Sequence, residues 1–242
     1  MILLIDIGNT STVCSIYKSN AYQAIKRVEC EEDIHATLVN YKHYKIEAIA
    51  LCSVVPNMTN RFITETKKIF NIIPFIVSCK NANMILKVDS INEVGADRIC
   101  NAKAAGKFTN NNCIVVDFGT ATTYDVINKE KQFIGGAIAP GIDVSANYLI
   151  KKAALLKNTV LELPKNIIGK NTKTNIQSGV MYSAIFSIEG MIRNIIKEIN
   201  TETDVILTGG FSKLISPKLA FPHFLNPNLT LNGIQIIYKE NQ

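Results

Sequence analysis

An apolar strand that delivers an aspartate into a glycine turn occurs twice in this sequence, as Ile5-Asp6-Ile7-Gly8-Asn9-Thr10 and as Val116-Asp117-Phe118-Gly119-Thr120-Ala121. The two aspartates are 117 − 6 = 111 residues apart, and each turn leads into a hydroxyl-rich second strand, Ser11-Thr12-Val13 or Thr122-Thr123-Tyr124. A glycine lets backbone N–H groups approach an anion, hydroxyls add donors, and a carboxylate at the strand end can hold a hydrated Mg²⁺. The phrase is therefore a strand-turn-strand phosphate clamp, and two such clamps facing each other would suit one nucleoside triphosphate. Asp and Gly also dominate ordinary hairpin turns. One copy would be read as turn chemistry; two copies with matching flanks are better explained by duplication.

The chain has 242 residues, 47% of them hydrophobic and 19% charged, enough to bury a core in one large or two modest domains. The opening Met1-Ile2-Leu3-Leu4-Ile5 meets Asp6 too early for a leader's apolar stretch, and no apolar run approaches the ~18–20 residues that span a bilayer, so a cytoplasmic protein without membrane contact is expected. Six cysteines (Cys14, Cys30, Cys52, Cys79, Cys100, Cys113) show no C-x-x-C pair, which argues against zinc and against a disulfide framework. The histidines His35, His43 and His223 are isolated and receive no role. The net charge of +6 comes from lysines spread along the chain rather than clustered with aromatics, so no nucleic-acid partner is expected.

Short apolar runs bounded by turn residues predict strands over 2–7, 12–17 and 24–28, a three-stranded meander. A helix over 31–44, a strand over 48–53, a helix over 56–70 and a strand over 74–77 follow. A helix over 95–107 leads to the second half, with strands over 113–117, 122–128 and 132–138, helices over 142–156 and 174–199, a strand over 205–207, and Phe211–Ile215 again helical. The state of 229–238 is left open. Two halves that each open on a meander and then alternate helix with strand imply two related α/β domains, 1–110 and 111–242, with a central cleft.

Further motifs lie in order between and beyond the clamps: Gly95-Ala96-Asp97-Arg98, Gly135-Gly136-Ala137-Ile138-Ala139-Pro140-Gly141, Asn171-Thr172 with Gln177-Ser178-Gly179, and Thr208-Gly209-Gly210. With Asp6-Ile7-Gly8-Asn9-Thr10 and Asp117-Phe118-Gly119-Thr120-Ala121-Thr122 they resemble type III pantothenate kinase, of the acetate and sugar kinase, Hsp70 and actin superfamily. The resemblance covers nearly the whole chain. It implies two related actin-like (ribonuclease H-like) domains, ATP-dependent phosphorylation of pantothenate to 4′-phosphopantothenate on the way to coenzyme A, a homodimer, Mg²⁺, and a monovalent cation such as K⁺ or NH₄⁺.

Residue by residue, the resemblance implies that Asp6, Ile7, Gly8, Asn9, Thr10, Ser11, Thr12, Val13 and Thr120 bind ATP. Gly95, Ala96, Asp97, Arg98 and Thr172 would contact pantothenate, with Asp97 as the catalytic base. Asp117 would hold the monovalent cation, although as a residue it could equally be a second metal-orienting carboxylate. Plainer readings stand beside these: turn capping for Asn9 and Thr10, a helix-dipole carboxylate for Asp97, a surface ion pair for Arg98, a helix N-cap for Asn171 and Thr172, and a helix-entry turn for Gly209-Gly210. A guanidinium fork does match the single carboxylate of pantothenate. Two departures stand out, since the aromatic that usually lies seven residues before Gly95 is Val88, and the usual proline shortly after it is replaced within Ser90-Ile91-Asn92. Val88 motivates an alternative in which another small hydroxy acid is the acceptor. A third reading is an ATP-binding regulator without catalysis, against which the retention of Asp6, Asp97, Arg98 and Asp117 argues.

Overall fold

Two mixed five-stranded sheets with the same strand order form the framework of the protein. The computed structural model describes residues 1–29, 33–152 and 159–242. The first sheet is built from the meander β1 (Ile2–Ile7), β2 (Ser11–Lys18) and β3 (Ala21–Glu29), joined after α1 (Ile34–Val39) by β4 (Ala48–Ser53) and after α2 (Pro56–Phe70) by β5 (Phe75–Ile76). Helix α3 (Ala96–Phe108) leads to the second meander, β6 (Asn112–Phe118), β7 (Ala121–Ile127) and β8 (Phe133–Pro140). Then come α4 (Ile142–Lys152), α5 (Thr172–Ile199), β9 (Thr203–Gly209), α6 (Ser212–Ile215), β10 (Phe224–Leu225) and α7 (Leu229–Glu240). The sheet orders are β3-β2-β1-β4-β5 and β8-β7-β6-β9-β10. In each, the first strand pairs antiparallel with its meander neighbour and parallel with the strand that returns after the helices. The duplication first visible in two short phrases thus extends through the strand topology.

By internal contacts the chain divides into one unit of residues 1–108, 130–134 and 228–242 and another of 109–129 and 135–227. The expected segment 111–242 carried the last helix with the second unit; α7 instead packs within the first. Its sequence, left open between helix and strand, is helical. Leu229, Leu231, Ile234 and Ile237 are buried, a spread that fits neither a clean helical stripe nor strict alternation.

Helix α1 falls short of its expected bounds. The helix expected over 31–44 starts at Ile34, where the Asp33 side chain caps it by accepting from the His35 N–H at 2.9 Å. It stops at Val39, and beyond it the Tyr41 hydroxyl bonds the Cys14 and Ala24 carbonyls at 3.2 and 3.0 Å, tying the chain to the meander. The expected residues 31 and 32, with Cys30, lie outside the described residues. So do residues 153–156, the end of the helix expected from 142. Strand β10, two residues long, gave no signal in the sequence.

The first sheet is covered on both faces. On one, Leu3, Ile5, Ile7, Cys14, Ile16, Ile49 and Leu51 pack against Ile34 and Leu38 of α1 and Met58 and Phe62 of α2. Pro56 opens α2 at its first turn, where a missing N–H costs nothing, and Asn71 closes it in the left-handed region at φ 58°. On the other face, Leu4, Val13, Ala50 and Cys52 pack against Ile99 and Cys100 of α3 and Leu231, Ile234 and Ile237 of α7. In the second unit, Ile114, Val116, Phe118, Val205 and Leu207 of the sheet meet Met181, Ile185, Ile188 and Ile192 of α5.

Helix α3 is held from both sides. Its small residues Ala102, Ala104 and Ala105 are buried with Cys100, and Gly233 of α7 lies so close to the Cys100 carbonyl that a Cβ there would overlap it. Thr230 donates to Asn101 Oδ1 at 2.9 Å, and Lys103 pairs with Glu240 at 2.5 Å. The Gly233→Ala variant is expected to lose at least about 1–3 kcal/mol of stability through overpacking. Gly190→Ala, in α5 where a Cβ meets nothing within 4 Å, is expected to gain about 0.4–1 kcal/mol. Denaturant unfolding of both variants checks the contrast, and equal stabilities would contradict the close seating of α7 on α3.

Candidate active site

In the first unit the site residues gather at the C-terminal ends of β1 and β4, the end of a parallel pair where open α/β sheets bind ligands. Asp6 faces Val13 on β2 and Cys52 on β4, so the three share one cross-sheet row. The chain turns at Gly8, whose N–H bonds the Ser11 carbonyl at 3.0 Å, and this turn exposes Asn9 and Thr10. Ile7 and Val13 are buried and serve as anchors of the turn rather than as exposed ligands. Thr12 is 1% exposed, yet its Oγ1 has no partner among the described residues. Thr12 pairs with Ile7 and so stands on the face covered by α1 and α2, opposite the one that carries Asp6. The carboxylate of Asp6 beside the turn's donors fits Mg²⁺, which keeps most of its waters and needs only one or two protein carboxylates alongside phosphate oxygens.

Helix α3 brings Gly95-Ala96-Asp97-Arg98 to the same place. Gly95 lies beside Val54, just past the end of β4, and Val54 N–H bonds the Ile7 carbonyl at 3.1 Å. Asp6 shares its row with Cys52, and Cys52 packs with Ile99 and Cys100 of α3, so Asp97 at the start of that helix and Asp6 belong to the same face of the first sheet. The Asp97 carboxylate accepts from the Arg98 N–H at 2.8 Å. Arg98 carries its guanidinium over the ring of Phe133, 5.4 Å from the centroid. Phe133 is held by two backbone hydrogen bonds, to the Ile85 carbonyl at 3.0 Å and from the Lys87 N–H at 2.8 Å. The segment that ends at Val88 therefore anchors the ring under Arg98. Phe133 escaped the sequence reading because its strand, β8, was assigned wholly to the second half.

Burial raises the Asp97 carboxyl above its ordinary 3.8, a shift opposed by the Arg98 N–H and guanidinium. Burial also drives the Cys14 thiol up to about 12, helped by the Asp6 charge and opposed by Lys26. Cys52 is held well above its ordinary 9.0, first by its hydrogen bond with Cys100 and then by burial and the two carboxylates, and burial raises Cys100 as well. These thiols stay protonated and packed, and none is suited to act as a nucleophile.

The second clamp repeats the plan with one residue fewer. Ile7 pairs with Thr12 across four intervening residues, 8–11, whereas Phe118 pairs with Thr122 across three, 119–121. The Gly119 N–H accordingly bonds the Ala121 carbonyl at 3.0 Å. Asp117 shares a row with Thr123 and Thr208, and Thr120 is exposed at the tip, its carbonyl accepting from the Gly141 N–H at 3.1 Å. Gly209, at φ 86°, runs so close that a Cβ there would strike Asp117 Oδ1 and the Phe118 backbone. This Gly-Gly therefore shapes the wall behind Asp117 as well as the turn after β9. Among the described residues no three acidic, cysteine or histidine side chains form a ready metal cage, so any ion at Asp117 would draw further oxygens from backbone, water or ligand.

Thr172 is the first residue of α5 and is exposed. The capping expected of Asn171 and Thr172 is performed by Asn171 with Thr174, each side chain bonding the other's backbone N–H, at 2.9 and 3.1 Å. Thr172 is not consumed by the cap.

Against known proteins, the family model described as type III pantothenate kinase matches residues 2–194. The chain belongs to the type III pantothenate kinase family. Members from Halalkalibacterium halodurans and Listeria innocua are each 37% identical to it, covering all of this chain and 100% and 98% of their own lengths. Among solved structures, a conserved putative Baf family transcriptional activator from Campylobacter jejuni superposes with a TM-score of 0.62 at 20% identity, covering 99% of this chain and 98% of its own. A polyphosphate/ATP-glucomannokinase from Arthrobacter superposes at 0.55 and 12% identity, covering 100% and 99%. At these identities the two structures speak to the fold alone, that of the actin-like sugar kinases.

For this family member the raised Asp97 carboxyl has a consequence for stability. The native state binds its proton more tightly than the unfolded chain, so stability falls as pH rises from the ordinary carboxyl range through the raised value, then levels. Asp97→Asn, which retains the oxygen facing the Arg98 N–H, is expected to be more stable than the parent at pH 7, with the advantage vanishing in acid. Denaturant unfolding at both pH values tests this; an Asn variant no more stable than the parent at pH 7 would contradict it.

Proposed function

We propose that this protein transfers the γ-phosphoryl group of Mg·ATP to the terminal hydroxyl of pantothenate, giving 4′-phosphopantothenate and ADP. The observation that carries the reading is that α3, which opens on Asp97, packs through Ile99 and Cys100 on the face of the first sheet that carries Asp6, one carboxylate from the substrate motif and one from the phosphate clamp. Phosphoryl transfer passes through a loose transition state, so catalysis rests on positioning and on neutralising oxygen charge rather than on covalent chemistry by the protein. When bound, Mg²⁺ supplies that neutralisation. The Asp6 carboxylate orients the ion's waters, while the N–H groups of residues 8–13, the Thr10 and Ser11 hydroxyls and Thr120 hold phosphate oxygens. Asp97 accepts the hydroxyl proton at a carboxylate oxygen as the phosphoryl group departs, and keeps the nucleophilic oxygen pointed along the transfer. Its raised affinity for protons suits a base that must be ionised near neutrality yet retain some basicity.

Arg98 binds the pantothenate carboxylate. The Phe133 ring beneath it supports the guanidinium through a cation–π contact, and the planar fork of an arginine matches a carboxylate with paired donors. Gly95, Ala96 and Thr172 complete the contacts to pantothenate, and Asp117 holds K⁺ or NH₄⁺. The active form is a homodimer, working in the cytoplasm, where Cys14, Cys52, Cys79, Cys100 and Cys113 stay as free thiols. A second reading keeps the ATP site and changes the acceptor. It is motivated by Val88, which ends the segment anchored to Phe133 and has neither the ring nor the hydroxyl usual there.

ADP release with Mg·ATP and K⁺, with and without pantothenate, followed by mass spectrometry of the product, tests the reading. Pantothenate-dependent ADP with phosphopantothenate is expected, and Asp97→Asn is expected to lower turnover by at least about 10²–10⁴-fold while leaving ATP binding intact. Turnover only with other hydroxy acids would favour the second reading. ATP binding without any acceptor-dependent ADP would point to a regulator.

A further inference from the structure

We propose that Arg27 of β3 is a phosphate-binding residue of the first clamp. The inference rests on the reading of that clamp as the Mg·ATP site and extends it by a residue from a strand outside the turn. Arg27 pairs with Val13, which pairs with Asp6, which pairs with Cys52, so one register row runs Arg27, Val13, Asp6, Cys52 across four strands. Paired residues point to the same face of a sheet. The guanidinium therefore stands on the face that carries Asp6 and α3, and Lys26, paired with Cys14, stands on the opposite one.

Three features direct Arg27 at the clamp rather than into solvent generally. Its Nη1 donates to Ser11 Oγ at 2.6 Å, which draws the fork over the hydroxyl that ends the Gly8 turn. Arg27 is itself exposed, so the remaining donors of a group that carries five are accessible to an incoming anion. Two strand spacings, about 10 Å, separate it from Asp6 at the backbone, with the uncharged Val13 between them. A phosphate and its metal can lie across that gap, the metal toward the carboxylate and the anionic oxygens toward the guanidinium. Glu29 lies opposite Ser11 on the same face, so net charge alone does not single the place out. The orientation of the fork onto Ser11 does. A planar fork matches phosphate oxygens in pairs, a geometry that a lysine reproduces only as a point charge.

The test compares wild type, Arg27→Ala, Arg27→Lys and Arg27→Gln for equilibrium binding of Mg·ATP and of adenosine, with KM for ATP and for pantothenate measured alongside. Arg27→Ala is expected to weaken Mg·ATP binding by about 10- to 100-fold, as for loss of charge-assisted hydrogen bonds, while adenosine affinity and the pantothenate KM stay within about twofold. Arg27→Lys should recover part of the loss and Arg27→Gln little. Unchanged Mg·ATP affinity in Arg27→Ala, or equal losses for ATP and adenosine, would overturn the proposal, the second outcome marking a merely structural residue. Wild-type protein that binds no Mg·ATP would instead bring down the nucleotide reading of the clamp, and the arginine proposal with it.

Discussion

The seating of α3 on the parallel pair β1 and β4 is the constraint on which the site depends. Asp97 lies one helical turn before Cys100, and Cys100 is pressed between the Cys52 thiol on the sheet side and Gly233 on the α7 side. Because the helix presents alanines where it is enclosed, it approaches both neighbours closely. Interiors packed to this density transmit displacement rather than absorb it. A shift of α3 would therefore displace Asp97 relative to Asp6. Helix α7 thus braces α3 and the Gly95-Ala96-Asp97-Arg98 motif at its start.

Duplication supplies two similar tools that have diverged. Both sheets offer an aspartate near the end of the meander's first strand, itself one of the parallel pair, followed by a glycine turn. The first turn is one residue longer and has Arg27 alongside, bonded to Ser11. The second is shorter, backed by the left-handed Gly209, and its aspartate sits between two threonines in its row. A longer donor-rich turn suits an extended anion, whereas a carboxylate flanked by hydroxyl and backbone oxygens suits a cation. The difference gives a physical basis for assigning nucleotide phosphates to one and an ion to the other.

Much of this was legible in the sequence, for identifiable reasons. Strands β1 and β4 and helix α2 have the bounds that the sequence predicts, because an apolar run ending in Asp-x-Gly and a proline at a helix start are signals local to a few residues. The two clamps and the Gly95-Arg98 motif were likewise local. What escaped depended on partners far along the chain. Helix α7 is buried on several sides, so its pattern shows no stripe; its identity is set by α3 and the sheet. Phe133 acquires its role from Arg98, thirty-five residues earlier. Arg27 reads as one more surface cation until register places it in the row of Asp6. Neither register nor cross-strand pairing can be derived from composition.

The central claim is that burial at the start of α3 tunes Asp97 as the base. The most direct test is the pH dependence of kcat/KM for pantothenate, which reports the ionisation of the free enzyme's essential base. The account predicts an acid limb whose midpoint lies above 3.8, the ordinary value for an aspartate, with activity rising as Asp97 loses its proton. A limb at or below that value, or a profile flat through the acid range, would contradict it.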